Sequence, residues 1–279
     1  MNRAARRCTL ALALLAAESA AVAAISAPAA EEFTRKSGLW VQMDSIGAQV
    51  RSGMSDALEK AGDDVPAERK ARMLDCAQAA FAGDAMRAIA TDAVAGALNP
   101  EDVRPLQAWF DSPLGHKIAA EEESSARQVI EPQERVRRGG EALASASPAR
   151  RIALQSILTE THSVDIMADT LIEMAFAVQQ AMASLDPAVT PARVAAIRQS
   201  MMARRPQLVD HYGQISLPAY AFTYARLSDD EIQHYAEHLA SPAAKSFNDG
   251  STRGVARALG AGSAKLGKCL AGSGGDAKP

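Results

Sequence analysis

Two stretches of this chain, LNPEDVRPLQAWFDSPLGHKIAA (98–120) and LSDDEIQHYAEHLASPAAKSFND (227–249), align with each other without a gap. Their apolar positions coincide, and both carry a Ser-Pro pair at the same place. The matched apolar pairs are Leu98 and Leu227, Val103 and Ile232, Leu106 and Tyr235, and Phe110 and Leu239. Similarity at a fixed offset indicates an internal duplication.

Each copy predicts a helix, a tight corner and a second helix. Asn99 followed by Pro100 is typical of a helix start, because proline at the first helical position loses no hydrogen bond. Ser228 with Glu231 three residues later forms a capping box. The helix must end before the Ser-Pro pair, since a residue that precedes proline is pushed out of the helical region. The serine then caps the next helix.

The composition favours helices throughout and excludes one class of partner. Apolar residues make up 48% of the chain and aromatic residues only 4%, and alanine carries much of the apolar share. We find no run of alternating β-branched residues that predicts a strand. The predicted fold is therefore all-α: two related antiparallel helical repeats in a tandem helical bundle. A formal net charge of −3 with mixed signs does not fit a nucleic-acid binder.

The domain boundaries follow from the duplication and from Gly- and Pro-rich segments. We predict a first helical repeat at 31–130 and a second at 149–262, joined by a linker at 131–148 that can stay partly helical. The glycine-rich end predicts a flexible tail at 263–279. Glu121-Glu122-Glu123, within the first repeat, is most simply a solvated helix face.

The N-terminus predicts export. Three arginines precede the apolar run TLALALLAA, and small residues ending at Ala23 follow it. This order is typical of a secretory signal peptide over 1–23, with Pro28-Ala29-Ala30 as a later alternative cleavage site. No other stretch is long and apolar enough to cross a bilayer. The mature protein is expected to be periplasmic or secreted, without a transmembrane segment.

Export changes the interpretation of the cysteines. Two remain after removal of the signal peptide, Cys76 and Cys269. In an oxidising compartment a lone pair is a plausible disulfide. Two buried or free thiols are the alternative, and sequence alone leaves both open.

Two segments resemble parts of one family pattern. TYARLSDDEI (223–232) and QAWFDSPLGHKI (107–118) are similar to the uncharacterised exported bacterial family called domain of unknown function 2059. The first copy keeps its phenylalanine, Ser-Pro, glycine and lysine corner, and the second keeps its tyrosine and acidic helix start, with Ala243-Ala244-Lys245 in place of the glycine-lysine stretch. The resemblance implies an exported, all-helical protein. It implies no activity and assigns no catalytic residue.

The pentapeptide HYAEH (234–238) matches the His-x-x-Glu-His motif of one class of zinc peptidases. His234 and His238 would be the metal ligands and Glu237 the general base. A helical count places all three away from the core face, and no glutamate follows to supply the third ligand that zinc requires. We interpret the pair as two exposed helix histidines and expect no catalytic residue, metal or cofactor.

The function expected from the sequence is non-enzymatic. We predict an exported helical binding or interaction protein, with a role in the cell envelope and an envelope protein or an apolar ligand as partner. A metal-dependent hydrolase built on His234, Glu237 and His238 is one alternative. A carrier of lipid or apolar ligands in a groove between the repeats is another, since methionine-rich helix faces also line adaptable grooves.

Overall fold

The computed structural model describes residues 24–62, 65–128, 130–184 and 188–272. The predicted all-α class is confirmed, because these residues form helices and turns and no strand. The helices are α1 (Ala27–Lys36), α2 (Leu39–Lys60), α3 (Ala67–Ala80), α4 (Gly83–Ala95), α5 (Pro100–Phe110), α6 (Pro113–Arg127), α7 (Pro132–Ser145), α8 (Pro148–Glu160), α9 (Ser163–Ala183), α10 (Pro191–Met202), α11 (Arg205–Thr223), α12 (Asp229–Leu239) and α13 (Pro242–Gly272).

The helix starts predicted in the two copies have the expected caps. Helix α5 ends at Phe110 and α6 begins at Pro113, where the Ser112 hydroxyl accepts a hydrogen bond from the Gly115 amide at 2.9 Å. In the second copy the amide of Ser228 donates to Glu231 at 2.9 Å, which completes the capping box of α12. These caps satisfy backbone groups that a helix terminus otherwise leaves without partners.

Buried apolar residues form two separate clusters. The first cluster is built from α1 to α5 together with parts of α9 and α13, and Met43, Phe81 and Leu259 are fully buried in it. The second cluster is built from α6, α8, α11 and α12, and it includes Leu154 and Ile232. Most of the apolar area that holds the chain together is buried in these two places.

Each helix–corner–helix unit contributes to both clusters. In the first unit, Leu106 of α5 lies in the first cluster and Ile118 of α6 lies in the second. In the second unit the order is reversed, with Ile232 of α12 in the second cluster and Phe247 of α13 in the first. Helix α13 packs along α4, and α7 packs along α11. Both clusters therefore draw helices from both halves of the chain.

Two segments that the sequence presents as loosely structured are helical. Most of the segment 131–148 forms α7, whose Gly139 lies so close to α11 that a Cβ atom there would overlap the Pro218 carbonyl. The tail predicted from residue 263 instead continues α13 to Gly272, with Leu266 and Leu270 buried in the first cluster. Small residues suggested flexibility, but here they allow close helix packing.

Two predicted features fall at the ends of the chain. The signal peptide at 1–23 and residues 273–279 of the tail are outside the described residues. Among the helices that are described, none has the length and apolar character needed to span a bilayer.

A disulfide links α3 with α13 at the first cluster. Cys76 of α3 and Cys269 of α13 are bonded, with their Cα atoms 5.8 Å apart. That Cα separation is usual for a disulfide. The bond fixes the end of α13 against α3.

Candidate functional site

A cavity of about 360 Å³ lies where the two helix–corner–helix units meet, between the two hydrophobic clusters. It is bounded by residues from α5 and α6 on one side and from α12 and α13 on the other, with α2 and α11 completing the wall. Its aromatic lining includes Trp109, Phe110, Tyr220, Tyr235 and Phe247. A cavity of this volume falls within the range of small-ligand sites.

Trp109 of α5 lines the cavity and stacks with two residues of α12. The His238 imidazole stacks on it with ring centroids 3.9 Å apart and planes 6° from parallel. Tyr235, one turn earlier on α12, lies nearly parallel to the indole at 5.6 Å. The position of Trp109 in the first copy corresponds to that of His238 in the second, so two matched positions meet at this contact. The stacking fixes α5 against α12 beside the cavity.

One carboxylate lines the cavity. The hydroxyl of Tyr224 donates to Glu122 Oε1 at 2.7 Å, and the hydroxyl of Tyr235 donates to the same oxygen at 3.3 Å. Burial raises the pKa of Glu122 above its usual value, although both tyrosine hydrogen bonds oppose the rise. Burial also raises the pKa of both tyrosines well above 10, so they stay protonated donors. The arrangement leaves Glu122 Oε2 free of the tyrosines.

The remaining polar groups of the cavity are mostly paired within the protein. The hydroxyls of Tyr220 and Thr161 lie 3.1 Å apart. At the rim, Lys36 forms ion pairs of 2.6 Å with Glu32 and with Asp111. Ser251 also lines the cavity, and its hydroxyl oxygen is buried without a hydrogen-bond partner among the described residues.

The three candidate site residues of the pentapeptide, His234, Glu237 and His238, lie in different surroundings. His234 is exposed and its Nδ1 lies 2.9 Å from the Asp230 carbonyl oxygen, whereas Glu237 accepts a hydrogen bond from Gln233 on the outer face of α12. His238 is half-buried, so the expectation of an exposed side chain is wrong for it. The helical count considered α12 by itself. His238 is covered by Trp109, which belongs to α5. No cluster of three potential metal ligands occurs in the described part of the chain.

His238 makes stability depend on pH. Burial lowers its pKa from 6.5 to about 4. The folded state therefore binds a proton at His238 more weakly than the unfolded state does. The free energy of unfolding should decrease as the pH falls from 6.5 to about 4. We expect His238 to account for a loss of roughly 2 kcal/mol in the free energy of unfolding, allowing for its partial exposure. Urea denaturation at a series of pH values measures it.

The test compares the pH dependence of the free energy of unfolding in two matched variants of α12. His238→Gln should lack this acid-side loss, and His234→Gln, changed on the exposed face, should retain it. Comparison of the variants also removes the opposite contribution of Glu122, whose raised pKa favours the folded state at low pH. Parallel pH profiles for wild type and His238→Gln would contradict the assignment.

Glu122 is the site residue that the sequence analysis missed. It was interpreted as part of a solvated acidic face, but its side chain points inward to the two tyrosines. The available signal was its spacing: Glu122 lies one helical turn after Ile118, on the face of α6 where Gly115, Ile118 and Ser125 are buried. The aromatic residues around it come from helices distant in the sequence, which no local pattern connects.

Comparison with known proteins adds no relative from which a function could be inferred. No protein-family profile matches the chain, and neither the curated proteins nor the solved structures contain a significant match.

Proposed function

We propose that the protein is an exported, non-enzymatic binding protein whose ligand occupies the cavity between the two hydrophobic clusters. The observation that carries this proposal is the cavity itself, lined by Trp109, Tyr235 and Phe247 and containing the carboxylate of Glu122. An apolar concave site with a few convergent polar groups is the usual form of a small-molecule site. The proposal combines two hypotheses from the sequence analysis, the non-enzymatic binding protein and the carrier of apolar ligands.

The hydrolase alternative receives less support from the geometry. One of its two histidines stacks on Trp109 and the other lies on the exposed face of the same helix. A catalytic zinc needs three protein ligands held at one point. The described residues do not bring a third acidic, histidine or cysteine side chain to this pair.

Export is the proposed location, periplasmic or secreted. The disulfide between Cys76 and Cys269 supports it, because such bonds persist in oxidising compartments and are rare in the cytosol. Cleavage after Ala23 would leave α1 whole, with its Ala30 and Phe33 buried in the first cluster, whereas cleavage after Ala30 would remove the first turn of that helix. Membership in the exported family that the sequence resembles, and a role or a protein partner in the cell envelope, are part of the same proposal.

We also propose that the chain is a duplication whose final helices have been exchanged. In order along the chain, α1 to α6 would correspond to α8 to α13. Helix α2 follows α1 through Gly38 at φ 78°, and α9 follows α8 through His162 at φ 50°, so the same short connection recurs. The pairs α1 with α5 and α2 with α4 pack together, as do α8 with α12 and α9 with α11. Each set of five helices is then completed by the last helix of the other set.

The exchange can be tested by cutting the chain between the two copies. A protease recognition sequence inserted between Gln128 and Pro132 would separate α1–α6 from α7–α13 after cleavage. If the final helices are exchanged, both fragments should remain in one particle on size-exclusion chromatography even after reduction of the disulfide. Separation of the fragments in reducing, non-denaturing buffer would show that the helices are not exchanged.

Binding in the cavity can be tested by filling it. Trp40→Phe leaves Trp109 as the single tryptophan, because the chain contains only two. The neutral probe 2-phenylethanol should then change Trp109 emission in a saturable manner. Ser251→Leu, which places a larger side chain in the cavity, should abolish that change. Ser246→Leu, on the same helix but outside the cavity, should keep it. Equal responses of the two leucine variants would contradict a ligand site here.

A further inference from the structure

The charged groups around the cavity do not contribute equally to its electrostatic character. Lys36 is held in ion pairs with Glu32 and Asp111, so its charge is compensated within the protein. His238 is neutral at physiological pH because burial lowers its pKa to about 4. Glu122 has no cationic partner among the described residues, and its hydrogen bonds come from the uncharged hydroxyls of Tyr224 and Tyr235. The cavity therefore contains one acidic group without a counter-charge.

The aromatic side chains that line the cavity also lack a cationic partner among the described residues. Elsewhere in the molecule the protein supplies its own cations to aromatic faces: Arg35 lies 3.6 Å from the ring centroid of Trp40, and Arg135 lies 5.1 Å from that of Phe222. No guanidinium or ammonium group of the described residues lies over Trp109. Among the described residues, the ring stacked most closely on Trp109 is the imidazole of His238, and no Lys or Arg side chain supplies there the positive charge that electron-rich ring faces attract.

We propose, on the basis of the binding function proposed above, that the ligand is a small organic cation. Its ammonium group would lie on Glu122, and its apolar body would pack against Trp109 and Phe247. Both tyrosine hydroxyls end on Oε1 of Glu122, which leaves Oε2 to accept a hydrogen bond from the ligand. Ser251 also lines the cavity, and its buried hydroxyl has no hydrogen-bond partner among the described residues.

The same features select against other ligand classes. An anion would meet the carboxylate of Glu122 with no cation free to balance the two charges, and like charges in a poorly solvated site repel strongly. A neutral molecule would bring no charge to pair with Glu122 and would lack the attraction that a cation gains there. The volume of about 360 Å³ limits the ligand to a small molecule.

Three probes of one shape and different charge test the inference. They are 2-phenylethylamine as the cation, 2-phenylethanol as the neutral form and phenylacetate as the anion. Each is titrated into the Trp40→Phe protein, with Trp109 emission as the readout and calorimetry as a second measurement. The amine should bind at least about 10-fold more tightly than the alcohol, because only the amine can form a charge-assisted hydrogen bond and an ion pair with Glu122. Phenylacetate should bind most weakly.

A matched pair of variants on α6 assigns the preference to Glu122. Glu122→Gln should bring the amine and the alcohol to within about 2-fold of each other, since the ion pair is lost. Glu123→Gln, at the exposed neighbouring position that pairs with Arg127, should keep the preference. If Glu122→Gln does not fold, the ranking of the three probes on the unsubstituted site still decides the question.

The outcomes separate this inference from the function on which it rests. Equal affinities for amine and alcohol, or tighter binding of phenylacetate, would overturn the organic cation while leaving the cavity a ligand site. A preference for the amine that survives in Glu122→Gln would also overturn it. If none of the three probes binds at millimolar concentration, the proposed binding function fails with it.

Discussion

Replacement of Cys76 by serine is expected to lower the free energy of unfolding by about 5 kcal/mol, more than we expect from any other single substitution in this chain. The disulfide closes a loop of 193 residues, and in the chain-entropy model a long loop removes the most freedom from the unfolded chain. It also anchors the end of α13, which completes the first cluster. Urea denaturation under oxidising conditions, for the native chain and for Cys76→Ser, measures the loss.

Reduction provides the control for this prediction. Reductant should shift the midpoint of the native chain toward that of Cys76→Ser and should have no effect on the variant itself. A native chain that unfolds at the same urea concentration with and without reductant would show that the bond adds no stability.

Truncation of Phe81 is the second large effect. Its side chain is fully buried, at 0% exposure, in the turn between α3 and α4. Phe81→Ala should cost about 3 to 5 kcal/mol, because the lost apolar area and the remaining cavity both oppose folding. The ring is pressed against α13 at Gly262, where a Cβ atom would overlap it. Thermal or urea unfolding followed by circular dichroism measures the change.

A double-mutant cycle locates the contact between Phe81 and α13. Gly262→Ala alone should destabilise by about 1 to 3 kcal/mol through overpacking. In the Phe81→Ala background it should cost much less, because the obstructing ring is gone. Gly260→Ala is the matched control, since its Cβ would meet open space and alanine is the better helix former. Additive effects of Phe81→Ala and Gly262→Ala would show that this contact does not hold α13 in place.

Local patterns predicted the secondary structure well. Asn99 with Pro100, Ser228 with Glu231, and the two Ser-Pro pairs mark helix ends through hydrogen bonds made within a few residues. Such signals depend on near neighbours in the chain, so a single sequence contains them. The same reasoning failed at the end of α13. Its small residues suggested a flexible tail, while their real role depends on α3, α4 and α9, against which the helix packs.

The candidate site was much less predictable. The histidine motif drew attention to α12, yet the feature that distinguishes His238 is its stacking on Trp109, a residue 129 positions earlier. Glu122 was assigned to a solvated run because three consecutive glutamates suggest a charged surface. Its inward position is decided by Tyr224 and Tyr235, which approach from other helices.

The sequence by itself determined where helices begin and end and that the chain folds as an all-helical protein, because capping, proline and apolar periodicity act over a few residues. Only the tertiary structure decided which helices share a cluster, that a cavity lies between the clusters, and that the carboxylate of Glu122 faces it without a cationic partner among the described residues. Those outcomes depend on contacts between segments far apart in the chain. The free energy of such contacts comes from burial and shape, which no local pattern contains.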